Sequence, residues 1–361
     1  MTDSSSAPQP KPEVTPKRRL RSFAYFFLLM CLVSFAVGML GANRLLGAGP
    51  LEQAREVWVK PGVTGKMLAQ QLAAEGVIYD PYSFMVGLRL QTSGRDLKAG
   101  EYKFSPYQSM QSVIDQMRRG DRIVRQFTLP EGRTSVEAVN LLKAELLLDG
   151  EITDIPAEGS LLPETYQFER GMTRQSLVER MRQAMFKTVS ELWAQRATDL
   201  PISTLDQAVT MASIVEKETS IAAERAKVAG VYYNRLRISM PLQADPTTVY
   251  AITKGAGPLG RAITVDDLRV ISPYNTYVVP GLPPGPIANP GRASIMAALQ
   301  PEKHDYLYFV ADGKGGHVFA KTLAEHSANV AKWRKTEKTA ETPPSAPEKP
   351  AKVKKVKRKS R

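Results

Sequence analysis

The segment MASIVEKETS, residues 211–220, contains two glutamates, Glu216 and Glu218, separated by a single lysine. A carboxyl group can act as a general acid or base, and two that lie close together can act as a catalytic pair. The surrounding stretch, 205–239, is predicted to be helical. On a helix that turns by about 100° per residue, the two side chains point about 200° apart. They therefore cannot form a catalytic pair with each other.

The neighbours of Glu218 single it out as a candidate acid. On a helix this residue interrupts an apolar stripe, where partial burial would raise its pKa and keep it protonated near neutral pH. A buried ion pair with Arg225 or another base, or a helix that bends away at this point, would explain the same pattern. Glu216 has polar neighbours and is expected to be an exposed surface charge. The residues three and four positions from Glu218 are Ile214, Val215, Ile221 and Ala222.

Two further segments contain residues that could bind a polar substrate. Gln243 and Asp245 lie two residues apart, so they share one face if the chain is extended there. Asp245 could instead cap the turn at Pro246. In the segment YNTY, Tyr274 and Asn275 could supply aromatic and amide contacts to a sugar, although tyrosines in a strand are as often part of a core.

Composition argues against two other functional classes. The chain has three histidines and neither an HExxH motif nor another compact ligand spacing, so no metal site is expected. The formal net charge is +13, but most of the excess lies at the two ends and residues 22–333 are nearly neutral. A body with this charge is poor evidence for a nucleic-acid-binding domain.

The order of predicted elements indicates two α+β domains after residue 55. Residues 56–127 read as a strand, two helices, a strand and a helix, which is a small α+β module. Residues 128–333 form a larger mixed α+β domain that is mainly helical to about residue 240. A stretch rich in proline and glycine follows at 241–292, and such loops often form the walls of a binding site. A short helix, a hairpin and a closing helix complete the domain.

The N-terminal region contains a candidate membrane anchor. Residues 22–43 carry no charge and are long enough to span a bilayer as a helix. The basic block KRRLR before them places the N-terminus in the cytoplasm and the body outside. A cleaved signal peptide is the competing interpretation. Residues 1–21 are expected to be a disordered cytoplasmic stub, and residues 334–361 a disordered basic tail that is either solvated or held to anionic lipid or polymer.

Several long motifs resemble those of one family. MASIVEKET, NRLRISMPLQADPTTVY, YNTYVVPGLPPGPIANPG and YLYFVADGKGGHVF, preceded by EGSLLPETYQF, closely resemble the YceG-like or MltG family of endolytic murein transglycosylases. The resemblance runs from about residue 56 to 333. It implies a LysM-like first module, a catalytic second domain and cleavage of peptidoglycan outside the inner membrane. The two ends of the chain lie outside the resemblance.

The resemblance also implies a mechanism for one carboxyl group. The catalytic residue of the family is the second glutamate of EKET, which is Glu218 here. As a lyase of this type it would protonate the oxygen between N-acetylmuramic acid and N-acetylglucosamine, then accept the proton of the muramoyl C6 hydroxyl as a 1,6-anhydro ring closes. No metal or organic cofactor is implied. Gln243, Asp245, Tyr274 and Asn275 match family motifs and are expected to line the substrate groove.

Two other functions remain open from the sequence. A muramidase-type hydrolase would use Asp245 as a second carboxylate and water as the nucleophile. A non-catalytic scaffold would bind glycan through its first module. In each case the expected partners are peptidoglycan strands and the membrane, and an enzyme tethered beside newly made strands is also expected to meet the peptidoglycan synthases. Nucleic acid is not an expected partner.

Overall fold

The computed structural model describes residues 16–91 and 97–341. Over these residues it contains eleven α-helices and three two-stranded sheets, so the expected mixed α+β class is confirmed. The chain divides into two compact units. Unit 1 comprises the chain up to Arg125 together with Phe168–Gly171, and unit 2 comprises Gln126–Gln167 and the chain from Met172 onward.

The N-terminal helix is longer than the sequence predicts. Helix α1 spans Pro16–Leu46, and within it Phe23–Leu46 is long and apolar enough to cross a membrane by length and composition. Residues 16–21 are therefore helical, which corrects the expectation of a disordered stub for that part, because the basic residues before the apolar run continue the same helix. The rest of the expected stub, residues 1–15, lies outside the described residues.

Unit 1 consists of α1, two strands and three further helices around one apolar core. After α1, its elements are β1 (Arg55–Val59), α2 (Gly65–Ala74), α3 (Pro81–Gln91), β2 (Gly100–Phe104) and α4 (Met110–Arg119). Strands β1 and β2 pair antiparallel, with Trp58 opposite Glu101. Thr64 and Ser109 cap α2 and α4 by accepting hydrogen bonds from backbone N–H groups, and Gly120 ends α4 in the left-handed conformation. The LysM-like assignment of this unit stays a prediction.

The remaining elements in chain order are β3 (Arg125–Thr128), α5 (Ser135–Ala144), β4 (Thr165–Phe168), α6 (Arg174–Ala194), α7 (Leu205–Glu218), α8 (Arg225–Arg237), α9 (Asp245–Thr253), α10 (Arg292–Leu299), β5 (Tyr308–Ala311), β6 (His317–Ala320) and α11 (Leu323–Glu341). Strand β3 pairs with β4, and β5 pairs with β6. Helix α11 continues past Trp333, so residues 334–341 are helical and not part of a disordered tail. Residues 342–361 lie outside the described part.

Helix α7 forms the centre of unit 2. Residues 208–215 are all buried, and the helix packs against α6, α8, α9 and α10. The predicted continuous helix over 205–239 is wrong, because α7 ends at Glu218. Thr219 adopts an extended conformation with φ −138° and ψ 132°, and its hydroxyl accepts a hydrogen bond from the N–H of Ile221 at 3.1 Å. A threonine hydroxyl that satisfies a local backbone donor in this way competes with helix continuation.

Candidate functional site

Glu218 lies at the C-terminal end of the buried helix α7. The residue is partly exposed, but its Oε2 atom is buried and has no hydrogen-bond partner among the described residues. The sequence left open that the helix turns away at Glu218 or that Glu218 pairs with Arg225. The helix does end here, whereas Arg225 pairs with other residues. A buried carboxyl oxygen without a partner is unusual, since most buried polar atoms are hydrogen-bonded. The hydrogen-bonding capacity of this atom is therefore unused within the described part of the fold.

The surroundings of Glu218 raise its pKa from 4.5 to about 7. Burial is the largest cause, because it disfavours the charged form. The Tyr232 hydroxyl opposes this shift, the negative charge of Asp245 adds to it, and the positive charge of Arg235 opposes it. Near neutral pH both protonation states are then populated. Such a group can both donate and accept a proton at little free-energy cost.

Arg235 of α8 supplies a fixed positive charge beside this carboxyl. The side chain is buried, with Nε donating to the Leu307 carbonyl at 2.6 Å and Nη1 donating to the Leu242 carbonyl at 2.7 Å. Its guanidinium lies 5.3 Å from the centre of the Tyr308 ring. Because these partners come from two separate segments, Arg235 ties the chain before residue 243 to the chain before β5.

Asp245 opens α9 with an exposed carboxylate held by a tyrosine. The Tyr277 hydroxyl donates to Asp245 Oδ1 at 2.6 Å, and burial followed by this hydrogen bond raises the pKa of Tyr277. Gln243 is also exposed, but its φ of 49° is left-handed and its N–H donates to the Thr276 carbonyl at 3.2 Å. The extended geometry that would place Gln243 and Asp245 on one face is therefore absent.

The other two expected binding residues differ sharply in exposure. Tyr274 is partly exposed, and its ring lies 4.8 Å from that of Tyr250. Asn275 is fully buried. Its Nδ2 donates to the carbonyls of Leu268 at 3.0 Å and Val270 at 2.8 Å, and its Oδ1 accepts from the Thr248 hydroxyl at 3.0 Å. Asn275 thus organises the loop that carries Tyr277, and a contact with substrate stays a prediction without support from this geometry.

A cleft of about 590 Å³ reaches Asp245. Its lining also includes Lys217, the residue immediately before Glu218, and the aromatic ring of Tyr250. The residues that line it lie before and after α7 in the chain, and several belong to the stretch 241–292 that was expected to form binding walls. Among them are Glu131, Arg133, Asp245, Tyr250, Arg261 and Ile287.

A second acid, Glu158, was not identified from the sequence. It accepts a hydrogen bond from the Ser135 N–H at 2.8 Å, and Tyr250 donates to its other oxygen at 3.4 Å. Burial raises its pKa, and the hydrogen bonds from Ser135 oppose that rise. It lines a separate cavity of about 730 Å³ together with Pro286. The motif EGSLLPETYQF contains this residue, but nothing in its spacing marks the side chain as buried.

Glu216 contradicts the expectation of an exposed surface charge. Its side chain is only 6% exposed, and Oε1 lies 3.4 Å from Nη2 of Arg225, whose side chain is 12% exposed. Its Oε2 accepts a hydrogen bond from the Gly291 N–H at 2.9 Å. The polar neighbours on its own helix gave no indication of these partners, which come from distant parts of the chain.

The three histidines lie in separate packing environments. His317 Nδ1 is 2.7 Å from Glu224 Oε2, and His304 Nε2 is 2.9 Å from the Lys227 carbonyl. His326 stacks on Tyr308 with ring centres 5.2 Å apart. Within residues 16–91 and 97–341, no group of three or more histidine, cysteine, aspartate or glutamate side chains is arranged to hold a metal ion.

Comparisons with known proteins bear on the same region. The model of the YceG-like family matches residues 57–332. An endolytic murein transglycosylase of Bacillus subtilis is 43% identical over 180 residues, or 49% of this chain and 48% of that relative. An endolytic murein transglycosylase of Streptococcus pneumoniae serotype 2 is 28% identical over 372 residues, or 87% of this chain and 65% of that relative. The chain thus spans about half to two thirds of the length of these curated relatives.

A solved structure is also similar. The crystal structure of a putative yceG-like protein from Listeria monocytogenes is 31% identical to this chain. The match covers 77% of this chain and 99% of that one, with a TM-score of 0.48.

Proposed function

The chain belongs to the YceG-like family, and from that membership we propose that it is an endolytic murein transglycosylase with Glu218 as its acid and base. The observation that carries the proposal is the buried, unpartnered Oε2 of Glu218, whose pKa is raised to about 7. The similarity to relatives named endolytic murein transglycosylases supplies the substrate class, the glycan strands of peptidoglycan.

One carboxyl group suffices for the proposed reaction. Protonated Glu218 donates its proton to the glycosidic oxygen between N-acetylmuramic acid and N-acetylglucosamine, and the bond from muramoyl C1 to that oxygen breaks. The Glu218 carboxylate then accepts the proton of the muramoyl C6 hydroxyl, whose oxygen bonds to C1 and closes the 1,6-anhydro ring. Atoms balance without water, and the enzyme returns to its protonated state.

Two charges of opposite sign support both steps of this cycle. The carboxylate of Asp245 favours the protonated form of Glu218, and the guanidinium of Arg235 favours the carboxylate form. Neither form is therefore strongly preferred near neutral pH. This balance is what a residue needs when it acts first as an acid and then as a base.

Asp245, Gln243 and Tyr274 are the proposed substrate contacts, and of the three only Asp245 lines the cleft. Asp245 and Gln243 present exposed polar groups, and Tyr274 presents a partly exposed aromatic ring of the kind that packs on sugars. Asn275 enters the proposal only as the residue that holds the Tyr277 loop. Tyr277 in turn orients Asp245 through its hydroxyl.

The proposed location is the bacterial inner membrane. Helix α1 would anchor the chain by a single span, with the N-terminus in the cytoplasm and the body in the periplasm or its equivalent. Residues 56–127 would form a LysM-like module and residues 128–333 the catalytic domain. The division of the chain at Arg125 supports this boundary, while Phe168–Gly171 group with unit 1. In this place the enzyme would trim or terminate nascent strands and meet the peptidoglycan synthases.

A hydrolase remains the second candidate because Asp245 is an exposed carboxylate that interacts electrostatically with Glu218. It would leave reducing muramic acid ends, which are heavier than anhydro ends by one water. Mass spectrometry of fragments released from purified sacculi by the full-length protein in detergent separates the two. Anhydro ends support the transglycosylase, reducing ends support the hydrolase, and a complete lack of released fragments would leave a glycan-binding scaffold.

A further inference from the structure

Helix α3 carries an apolar stripe on its outer face. Tyr82, Val86 and Leu90 follow one another at intervals of four residues, which places them on the same side of the helix. Their residues are 79%, 37% and 76% exposed. The opposite side of α3 is filled by Phe84 and Leu88, which are buried in the core of unit 1. The stripe is therefore not needed for the core, and an exposed row of large apolar side chains indicates an interaction surface.

Helix α3 and the residue Tyr79 before it contact the end of α1. The guanidinium of Arg44 lies 5.1 Å from the centre of the Tyr79 ring, just before α3 begins. Eight residues later, a Cβ added at Gly87 would collide with the side chain of Leu45. Tyr79, just before α3, and Gly87 within it thus lie beside two consecutive residues at the end of α1.

The end of the apolar span of α1 lies beside α3. Leu45 packs against the core of unit 1, whereas none of the apolar window of α1 is buried. The apolar span of α1 ends at Leu46, so Arg44 and Leu45, which lie beside Tyr79 and Gly87, belong to its last turn. A membrane that holds this span therefore reaches the part of α1 that contacts α3.

We propose that the α3 stripe, formed by Tyr82, Val86 and Leu90, lies in the headgroup region of the membrane that α1 spans. The inference rests on the membrane anchor of the proposed function. A short amphipathic helix parallel to the bilayer places apolar and aromatic side chains at the boundary between headgroups and acyl chains. Tyrosine is enriched at this depth, and arginine extends its charge toward the phosphates. Arg44 at the end of α1 and exposed Arg89 on α3 fit that second role.

The test measures the depth of the stripe in a bilayer. Cys31 is the only cysteine, so Cys31→Ser gives a background for single labels. Tyr82→Cys and Leu90→Cys are each labelled with an environment-sensitive fluorophore in the full-length protein. The labelled proteins are reconstituted in nanodiscs of phosphatidylethanolamine and phosphatidylglycerol that contain lipids with a doxyl quencher near the headgroup. Lys103→Cys, at an exposed position on β2 of the same unit, is the matched control.

The expected result is quenching at positions 82 and 90 that exceeds quenching at position 103 by about twofold or more, since quenching requires contact with the headgroup region. Equal quenching at all three positions overturns the inference, and so does a chain that fails to enter the discs. Release of fragments from sacculi by the same samples is measured in parallel. Cleavage without preferential quenching overturns the membrane contact alone, whereas preferential quenching without cleavage overturns the proposed activity alone.

Discussion

Glu216 Oε1 lies 3.4 Å from Nη2 of Arg225, and both side chains are largely buried. The other oxygen of Glu216 binds the Gly291 N–H, so the whole carboxylate is engaged in contacts within the fold. Two residues further along, Glu218 has an oxygen that is also buried but has no hydrogen-bond partner within the described residues. The two glutamates of EKET are thus distinguished by their partners more than by their exposure.

Glu216→Gln is expected to destabilise the protein by about 2 kcal/mol, because a neutral amide balances the charge of the buried Arg225 guanidinium less well than a carboxylate does. The free energy of unfolding from denaturant titration measures this effect. Glu131→Gln is the control, since Glu131 pairs with the same arginine at 3.3 Å but is half-exposed. Its expected cost is below about 1 kcal/mol. Equal costs for the two variants would contradict the structural role assigned to Glu216.

Glu218→Gln is expected to stabilise the protein at alkaline pH. The folded-state pKa of Glu218 is about 7, above its ordinary value of 4.5, so the folded state binds this proton more tightly than the unfolded state. The free energy of unfolding therefore falls progressively from about pH 4.5 to 7 as the carboxyl becomes charged, and the whole loss is present above pH 7. The neutral amide avoids a cost of up to about 3 kcal/mol. Melting temperatures at pH 5 and pH 8 measure it, and a stabilisation that is the same at both values would contradict the raised pKa.

The wild-type activity is expected to fall as pH rises above about 7. Only protonated Glu218 can donate to the glycosidic oxygen, and the protonated fraction falls about tenfold per pH unit above its pKa. The profile of kcat/KM against pH reports this group in the free enzyme. A fall that begins near pH 4.5 would mean that Glu218 titrates as an ordinary exposed carboxyl and would contradict the account.

Two neighbouring substitutions should shift this alkaline limb in opposite directions. Asp245→Asn removes a negative charge that raises the pKa of Glu218, so the limb moves to lower pH. Tyr232→Phe removes a hydroxyl that lowers the pKa, so the limb moves to higher pH. Profiles of kcat/KM separate these shifts from any overall loss of rate. Asp266→Asn, at an almost fully exposed carboxylate, is the control and should leave the limb in place. Shifts of the same sign for Asp245→Asn and Tyr232→Phe would contradict the effects assigned to these two residues.

The elements of the fold were predictable where the apolar pattern is local. The hydrophobic N-terminal run, the helix–strand order of 56–127 and the helical start of the larger segment all follow from periodicity. The end of α7 at Glu218 did not follow, because the hydroxyl contact of Thr219 that stops the helix is invisible to an apolar pattern. The helical continuation of α11 to Glu341 was missed because its polar composition resembles that of a disordered tail.

The site was predictable only as far as single residues. The apolar neighbours of Glu218 selected it, although two of them, Ile221 and Ala222, lie beyond the end of the helix. Arg235 and Tyr232 were missed because one continuous helix over 205–239 would carry them away from Glu218, whereas the chain breaks after Glu218 and α8 packs back against α7. Asn275 was assigned to substrate because amides bind sugars, whereas the fold encloses it completely. Burial of this kind depends on tertiary packing, which composition does not report.

Glu218→Gln in the full-length protein tests the central claim most directly. The variant is expected to lose release of anhydro-ended fragments from purified sacculi by a factor of about 10² or more, because the amide cannot donate a proton to the leaving oxygen. Circular dichroism should show an unchanged fold, and Glu151→Gln, at an exposed position, should retain wild-type release. If Glu218→Gln releases anhydro-ended fragments at the wild-type rate, Glu218 is not the acid and the proposed mechanism is wrong.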